Sequence, residues 1–152
     1  MTTLFTPLQA GDLLLPNRIV MSPLTRVRAG STHIPNDMMV DYYTQRASSG
    51  LIMTECTMVD AHACAFMGEG GIYSPAHVAG WTRVTDAVHA KGGRIVMQIW
   101  HPGRAAHSLL NEGEQPVSSS ATAIRHDVTQ TPEGAKPYEV PRALRTEEIP
   151  RY

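Results

Sequence analysis

The sequence predicts an α/β fold built on a parallel sheet, on three observations. Apolar runs at residues 17–23, 51–59 and 94–100 alternate with two stretches of helical pattern, giving the order β-α-β-α-β. The runs are continuously apolar, as in strands covered on both faces. Between the second and third run lies "SPAHVAGWTRVTDAVHAKGG" (74–93), a helix with both its start and its stop written in the residues.

Each element has its own local reason. "LQAGDLLL" (8–15) reads as a small hairpin turning at Gly11-Asp12. "NRIVMSP" (17–23) is a short β-branched and apolar strand ending at Pro23. "NDMMVDYYTQRASSG" (36–50) is a helix, with Asn36 or Asp37 as cap and Gly50 as stop. "LIMTECTMV" (51–59) is the second buried strand. Its Glu55 needs a partner, because an unpaired buried carboxylate is costly, and Arg18, Arg26 and Arg94 are the candidates. "GEGG" (68–71) matches no phosphate-binding glycine pattern and reads as a flexible turn. In the 74–93 helix, Ser74 is the N-cap, Pro75 opens the first turn and Gly92 follows the end. Val78, Trp81, Val84 and Val88 form its buried stripe. "RIVMQIW" (94–100) is the third buried strand. Residues 105–145, rich in Ser, Pro, Thr and Glu, are expected to be an irregular excursion without a helix, in which "PVSSSATAI" (116–124) is a candidate strand of a hairpin. "RTEEI" (145–149) begins a third helix, with Thr146 as its cap.

Composition narrows the function classes. The 152 residues are 42% hydrophobic and 18% charged, with a formal net charge of −1. Such a balance supports one globular core and argues against nucleic acid or an anionic membrane as partner. No apolar stretch approaches a bilayer span, and the first residues do not read as a signal peptide. The two cysteines, Cys56 and Cys64, are too few for a disulfide framework, so the expectation is a reduced, cytoplasmic protein. Neither they nor His62 stand at metal-ligand spacing, so no metal is expected. His101 and His107 flank a Pro-Gly turn and are expected to cap or to meet solvent.

In parallel β/α sheets, ligands gather at the carboxyl ends of the strands. The three strand ends, "SPLTR" (22–26), "ECT" (55–57) and "QIWHPGR" (98–104), carry polar groups that a sealed core would not need. Gln98 offers a donor and an acceptor on one planar amide. Two readings stand for it: an amide satisfied by neighbouring backbone, or one that pairs with a ring edge showing an N–H beside a C=O. Such an edge belongs to a flavin pyrimidine ring or to a nucleobase. On the ligand reading, Gln98 and Thr25 face one common cavity.

Four segments together resemble the amino-terminal part of the Old Yellow Enzyme family of FMN-dependent ene-reductases: "LFTPLQAGDLLLPNRIVMSPLTRVRA", "GLIMTECTMVDAHA", "GIYSPAHVAGWTRVTDAVHAKGGRIVMQIWHPGRAAH" and "VPRALRTEEI". The resemblance runs in order over nearly the whole chain, and "NRIVMSPLTR" with "QIWHPGR" is its most specific pair. It implies a (β/α)₈ TIM barrel, of which residues 1–152 form about three β/α units plus the bottom hairpin, with 105–145 as the excursion after the third strand. It implies FMN as cofactor, with NADPH or NADH as reductant and an activated alkene as substrate. By the same resemblance, Gln98 holds the flavin pyrimidine edge and Thr25 bonds the carbonyl beside N5. Ser22, Pro23 and Leu24 run along the isoalloxazine, and Cys56 stands where relatives have a smaller residue whose main chain bonds the flavin. Trp100 and Phe66 lie on the substrate side, Phe66 where several relatives have tyrosine.

The resemblance also implies what to expect past residue 152: the histidine-containing pair that grips the substrate oxygen, the tyrosine proton donor and the basic residues for the FMN phosphate. No catalytic residue is therefore expected in this portion. The chain reads as a fragment, inactive alone, that pairs with a complementary chain carrying the rest of the barrel or self-associates. Two rivals stand beside this reading. One is a non-catalytic assembly module that docks on a complementary chain. The other is a flavodoxin-like three-layer domain, which fits the element order but lacks a phosphate loop after the first strand.

Overall fold

The computed structural model describes residues 1–152. Two short strands, β1 (Leu8–Ala10) and β2 (Leu13–Leu15), form the expected hairpin, with Ala10 opposite Leu13 across Gly11-Asp12. Gly11 takes a left-handed φ of 58°, which glycine adopts without steric cost.

The central sheet is parallel. Strand β4 (Leu51–Met58) pairs with β3 (Val20–Met21) at its start and with β5 (Gly70–Gly71) at its end. Along its other edge it pairs with β6 (Ile95–Trp100). Helices α1 (Asp37–Thr44) and α2 (Pro75–Ala90) cover one face. There Met39, Tyr43, Ile52, Trp81, Val84 and Val88 form the main core, with Ile95 and Met97 of β6 packed against it.

Both helices start where the sequence places them. The side chain of Asn36 accepts from Met39 N at 3.2 Å, and Ser74 caps α2, with Pro75 in its first turn. Gly92, at φ 73°, stops α2 as expected. Helix α1 ends earlier than Gly50: from Arg46 the backbone bonds tighten to three-residue spacing, as in Arg46 N to Tyr43 O and Ser49 N to Arg46 O. The buried stripe of α2 also differs. Val78 is exposed, and His77 and Gly80 are buried in its place. Gly80 is required there, because a Cβ would lie 2.8 Å from Pro35 Cδ.

Two strand assignments need correcting. The 17–23 run is a strand only at Val20–Met21, and β6 is not sealed: Val96 and Ile99 are 37% and 62% exposed. Strand β6 pairs with β4 alone and carries no helix over Ile99, so Val96 and Ile99 line an open sheet margin while Ile95 and Met97 face the core. The glycine-rich turn is corrected as well, since Gly70–Gly71 is a buried strand. A Cβ on Gly70 would lie 3.3 Å from the Trp81 ring and one on Gly71 2.6 Å from Tyr73, so glycine here serves close packing.

The excursion has more order than its composition suggests. A 3₁₀ turn (Ser108–Leu110) is capped by His107, whose Nδ1 accepts from Leu109 N at 3.1 Å. Strand β7 (Val117–Ser118) pairs in parallel with β10 (Arg142–Ala143), not within a hairpin. The hairpin is formed instead by β8 (Val128–Thr131) and β9 (Gly134–Pro137). At the end, Thr146–Arg151 is a 3₁₀ segment in which Thr146 is the first residue and Arg145 the cap; Glu148 Oε2 reaches back to Arg145 N at 2.8 Å.

Candidate functional site

A bulge in β4 organises the carboxyl end of the sheet. Met53 faces Val96 and Cys56 faces Gln98, so Thr54 and Glu55 stand against the single residue Met97. The extra residue reverses the alternation of β4. Glu55 turns to the helices, where its Oε1 accepts from Tyr43 OH at 3.1 Å, and Cys56 turns to the opposite face beside Gln98.

Glu55 does find a partner among the arginines proposed from sequence, through the main chain: Arg26 N donates to its Oε2 at 3.0 Å. The Arg26 guanidinium lies over the Tyr42 ring, 4.3 Å from its centre. Tyr43 OH also accepts from Glu55 N at 2.9 Å, which closes a buried ring of hydrogen bonds. Burial pushes the Glu55 carboxyl above its ordinary range, against the downward pull of the Arg26 amide and the Tyr43 hydroxyl. The tie to Arg26 anchors the stretch Ser22–Thr25, which follows β3, beside β4.

Among the residues proposed from sequence, Cys56 and Gln98 meet: the thiol donates to Gln98 Oε1 at 3.5 Å. The side-chain amide of Gln98 takes no backbone partner, and its Nε2 bonds no protein atom. Phe66 and Trp100 also meet, with near-parallel rings whose centres are 6.0 Å apart. Ser22, Pro23, Leu24 and Thr25 lie past the end of β3, where strand alternation no longer assigns a face, and no hydrogen bond joins Thr25 to Gln98. None of these residues except Phe66 borders an enclosed cleft. The cleft at Phe66, about 340 Å³, lies between it and the hairpin residues Val128 and Gln130, with Tyr138 just past the hairpin. The face that carries Gln98 is open.

Sequence reasoning missed the group that sets Phe66. Glu69 is fully buried, and its Oε1 accepts from Ala65 N at 2.6 Å and Phe66 N at 3.1 Å while its Oε2 has no partner. Burial pushes its carboxyl pKa up, and the two amides pull it partly back. Burial, with Glu69 nearby, pushes the Cys64 thiol up to about 12. A carboxyl raised in the folded state contributes stability that is full below its unfolded value, about 4.3, and lost as pH rises through the raised folded value. Glu69→Gln keeps an acceptor for both amides and removes the charge. Urea unfolding across that window should therefore show a shallower decline with pH for Glu69→Gln than for the parent, the remaining slope including Glu55. Equal slopes would remove Glu69 from this account.

The excursion's hairpin lies at 128–137 and not at the 116–124 run read from the sequence; the alternation of "VTQT" (128–131) is the signal that could have placed it. The thiol–amide contact and the Glu69 anchor had no comparable signal.

Comparison with known proteins agrees with this architecture. Residues 3–152 match the model of the NADH:flavin oxidoreductase / NADH oxidase family. A Leishmania infantum protein named "Probable flavin mononucleotide-dependent alkene reductase" is 45% identical over 157 residues, which cover 96% of this chain and 41% of that protein. The Old Yellow Enzyme homologue from Zymomonas mobilis superposes with a TM-score of 0.92 at 45% identity, covering 98% of this chain and 41% of that one. Morphinone reductase in complex with tetrahydroNAD superposes at 0.90 and 45% identity, covering 97% and 42%. The chain thus spans about two fifths of the length of the relatives it matches (41% of the first of these). No helix is long and apolar enough to cross a membrane. With 98% of the chain superposing at this TM-score, the architecture is the amino-terminal part of a (β/α)₈ barrel, and the chain belongs to the NADH:flavin oxidoreductase family that includes the Old Yellow Enzymes.

Proposed function

We propose that this chain supplies one side of an FMN site in an NAD(P)H-dependent reductase of activated alkenes. The observation that carries the reading is the Gln98 amide: half-buried, steadied by Cys56 through Oε1, with Nε2 left over on the open face of the sheet. A planar amide presented in this way fits a ring edge that offers an acceptor beside a donor. The names of the relatives, an FMN-dependent alkene reductase and a reductase that binds a nicotinamide analogue, support the same reading.

FMN held here would store the hydride between the nicotinamide and the alkene. The chain's own residues bind and orient. Gln98 would pair with the pyrimidine edge, and Thr25 would offer a hydroxyl to a ring carbonyl. The backbone of Ser22, Pro23 and Leu24 would line the ring, held in place through Arg26 N and Glu55. Cys56 fixes the amide of Gln98. Phe66 and Trp100 form a stacked aromatic shelf on the substrate side, which keeps water from a flat apolar substrate.

Gln98→Leu, made in the complete enzyme that carries the rest of the barrel, tests the reading. Leucine roughly keeps the volume but cannot pair with the ring edge, a loss on the order of 1–3 kcal/mol, or about 5- to 150-fold in the FMN dissociation constant. Flavin titration by fluorescence quenching measures it. An unchanged constant would rule out the assignment of Gln98.

A further inference from the structure

We infer that Thr54 is the positioning residue of this site: its hydroxyl stands in for a backbone carbonyl at the β4 bulge and so sets the placement of both Gln98 and Cys56. The inference rests on the flavin reading above, and its test separates the two.

The bulge breaks the ladder between β4 and β6 at the residues that face the site. A break of this kind leaves buried backbone groups needing partners. Side chains supply them here. Gln98 N donates to Thr54 Oγ1 at 3.0 Å. Thr54 Oγ1 in turn donates to Glu55 O at 3.0 Å, and Thr57 Oγ1 donates to the same carbonyl at 3.0 Å. Glu55 N goes to Tyr43 OH. Thr54, Glu55 and Thr57 are 1%, 1% and 0% exposed, so water cannot substitute for these bonds.

The roles divide by geometry. Thr57 touches only the Glu55 carbonyl and holds the bulge together on the β4 side. Of the two threonines only Thr54 crosses to β6, and it does so at the main chain of Gln98, whereas Cys56 meets the Gln98 side chain. Its hydroxyl both accepts from Gln98 N and donates to Glu55 O, so the bulge and the Gln98 backbone are fixed by one atom. Removing it frees the main chain of Gln98 and shifts the amide that Cys56 steadies. Serine keeps that atom; valine keeps the shape and loses it.

The experiment compares Thr54→Val, Thr54→Ser and Thr57→Val. The first readout is hydrogen exchange at the Gln98 amide in the cofactor-free chain, which does not depend on flavin. Thr54→Val should exchange about five- to tenfold faster there, the effect of one lost hydrogen bond. Thr54→Ser should match the parent, and Thr57→Val should lower thermal stability without a selective change at Gln98. The second readout is the FMN dissociation constant in the form of the protein that binds flavin, where Thr54→Val should weaken binding by a similar factor and Thr54→Ser should restore it. If Thr54→Val does not fold, Thr54→Ser against Thr57→Val still decides: altered Gln98 exchange in the serine variant, or an equal selective effect from Thr57→Val, overturns the inference. Fast Gln98 exchange in Thr54→Val with parental FMN affinity would keep the backbone contact and overturn the positioning role. A parent protein that binds no FMN in any form would sink the flavin reading instead, and leave the exchange result to judge the Thr54–Gln98 contact.

Discussion

Residues 1–152 expressed alone should give no NADPH-dependent reduction of 2-cyclohexenone or N-ethylmaleimide and should hold FMN weakly or not at all. On the proposed reading these residues supply strand ends for one side of a flavin only, and the sheet stops at β6 with Val96 and Ile99 exposed. No residue of the chain is assigned to the FMN phosphate, so binding lacks charge-assisted hydrogen bonds, which are roughly twice as strong as neutral ones. An open apolar margin with an unpaired strand edge also favours self-association. Adding a chain that carries the remaining strands of the barrel should restore colour and turnover together. Colour without turnover would favour the assembly-module reading. Robust turnover by the monomeric 152-residue chain would overturn the placement of the catalytic groups outside it.

Replacing Trp81 by alanine should cost on the order of 3–5 kcal/mol, a large part of the stability of a small domain. Trp81 is 2% exposed and packs against Tyr43, with ring centres 6.0 Å apart. Its Nε1 donates to Gly71 O at 3.0 Å, which ties α2 to β5. Alanine leaves a cavity between helices and sheet and an unpaired carbonyl on β5. Trp81→Phe should recover most of the packing and fall short by the lost hydrogen bond, about 1 kcal/mol. Chemical denaturation of the two variants measures both amounts, and a Trp81→Ala loss below about 1 kcal/mol would show that the core reorganises around the gap.

Local chemistry made the elements legible. Ser74 and Pro75 mark where α2 begins, Gly92 where it stops, and Gly11-Asp12 where the first hairpin turns, because each acts within a few residues of itself. Gln98 stood out as the lone amide in an apolar run, and Glu55 as a lone carboxylate. The bulge was hidden, because Leu51–Met58 has the same apolar character whichever way Glu55 and Cys56 point. The exposure of Ile99 was hidden for the opposite reason: burial of a strand depends on which elements cover it, and nothing in β6 itself records their presence. Gly70 and Gly71 looked like a turn because glycine signals both flexibility and close packing, and only Trp81 and Tyr73 above them decide between the two. For Ser22, Leu24 and Thr25 the sequence supplied the residue types, while their presentation depends on a segment that has left the regular strand.

The pairing of β7 with β10 makes the intervening stretch an exchangeable cassette. Val117 and Ser118 lie alongside Arg142 and Ala143, so residues 119–141 leave and return at one two-stranded ladder separate from the central sheet, with its strands about 5 Å apart. Once its ends are clasped, a loop gains length cheaply, at about 0.6 kcal/mol for each doubling. The hairpin within it, which walls the cleft at Phe66, is therefore free to vary in length and shape while the sheet below keeps its register. On the proposed flavin reading, a change of substrate range confined to this segment leaves the strands of the central sheet untouched.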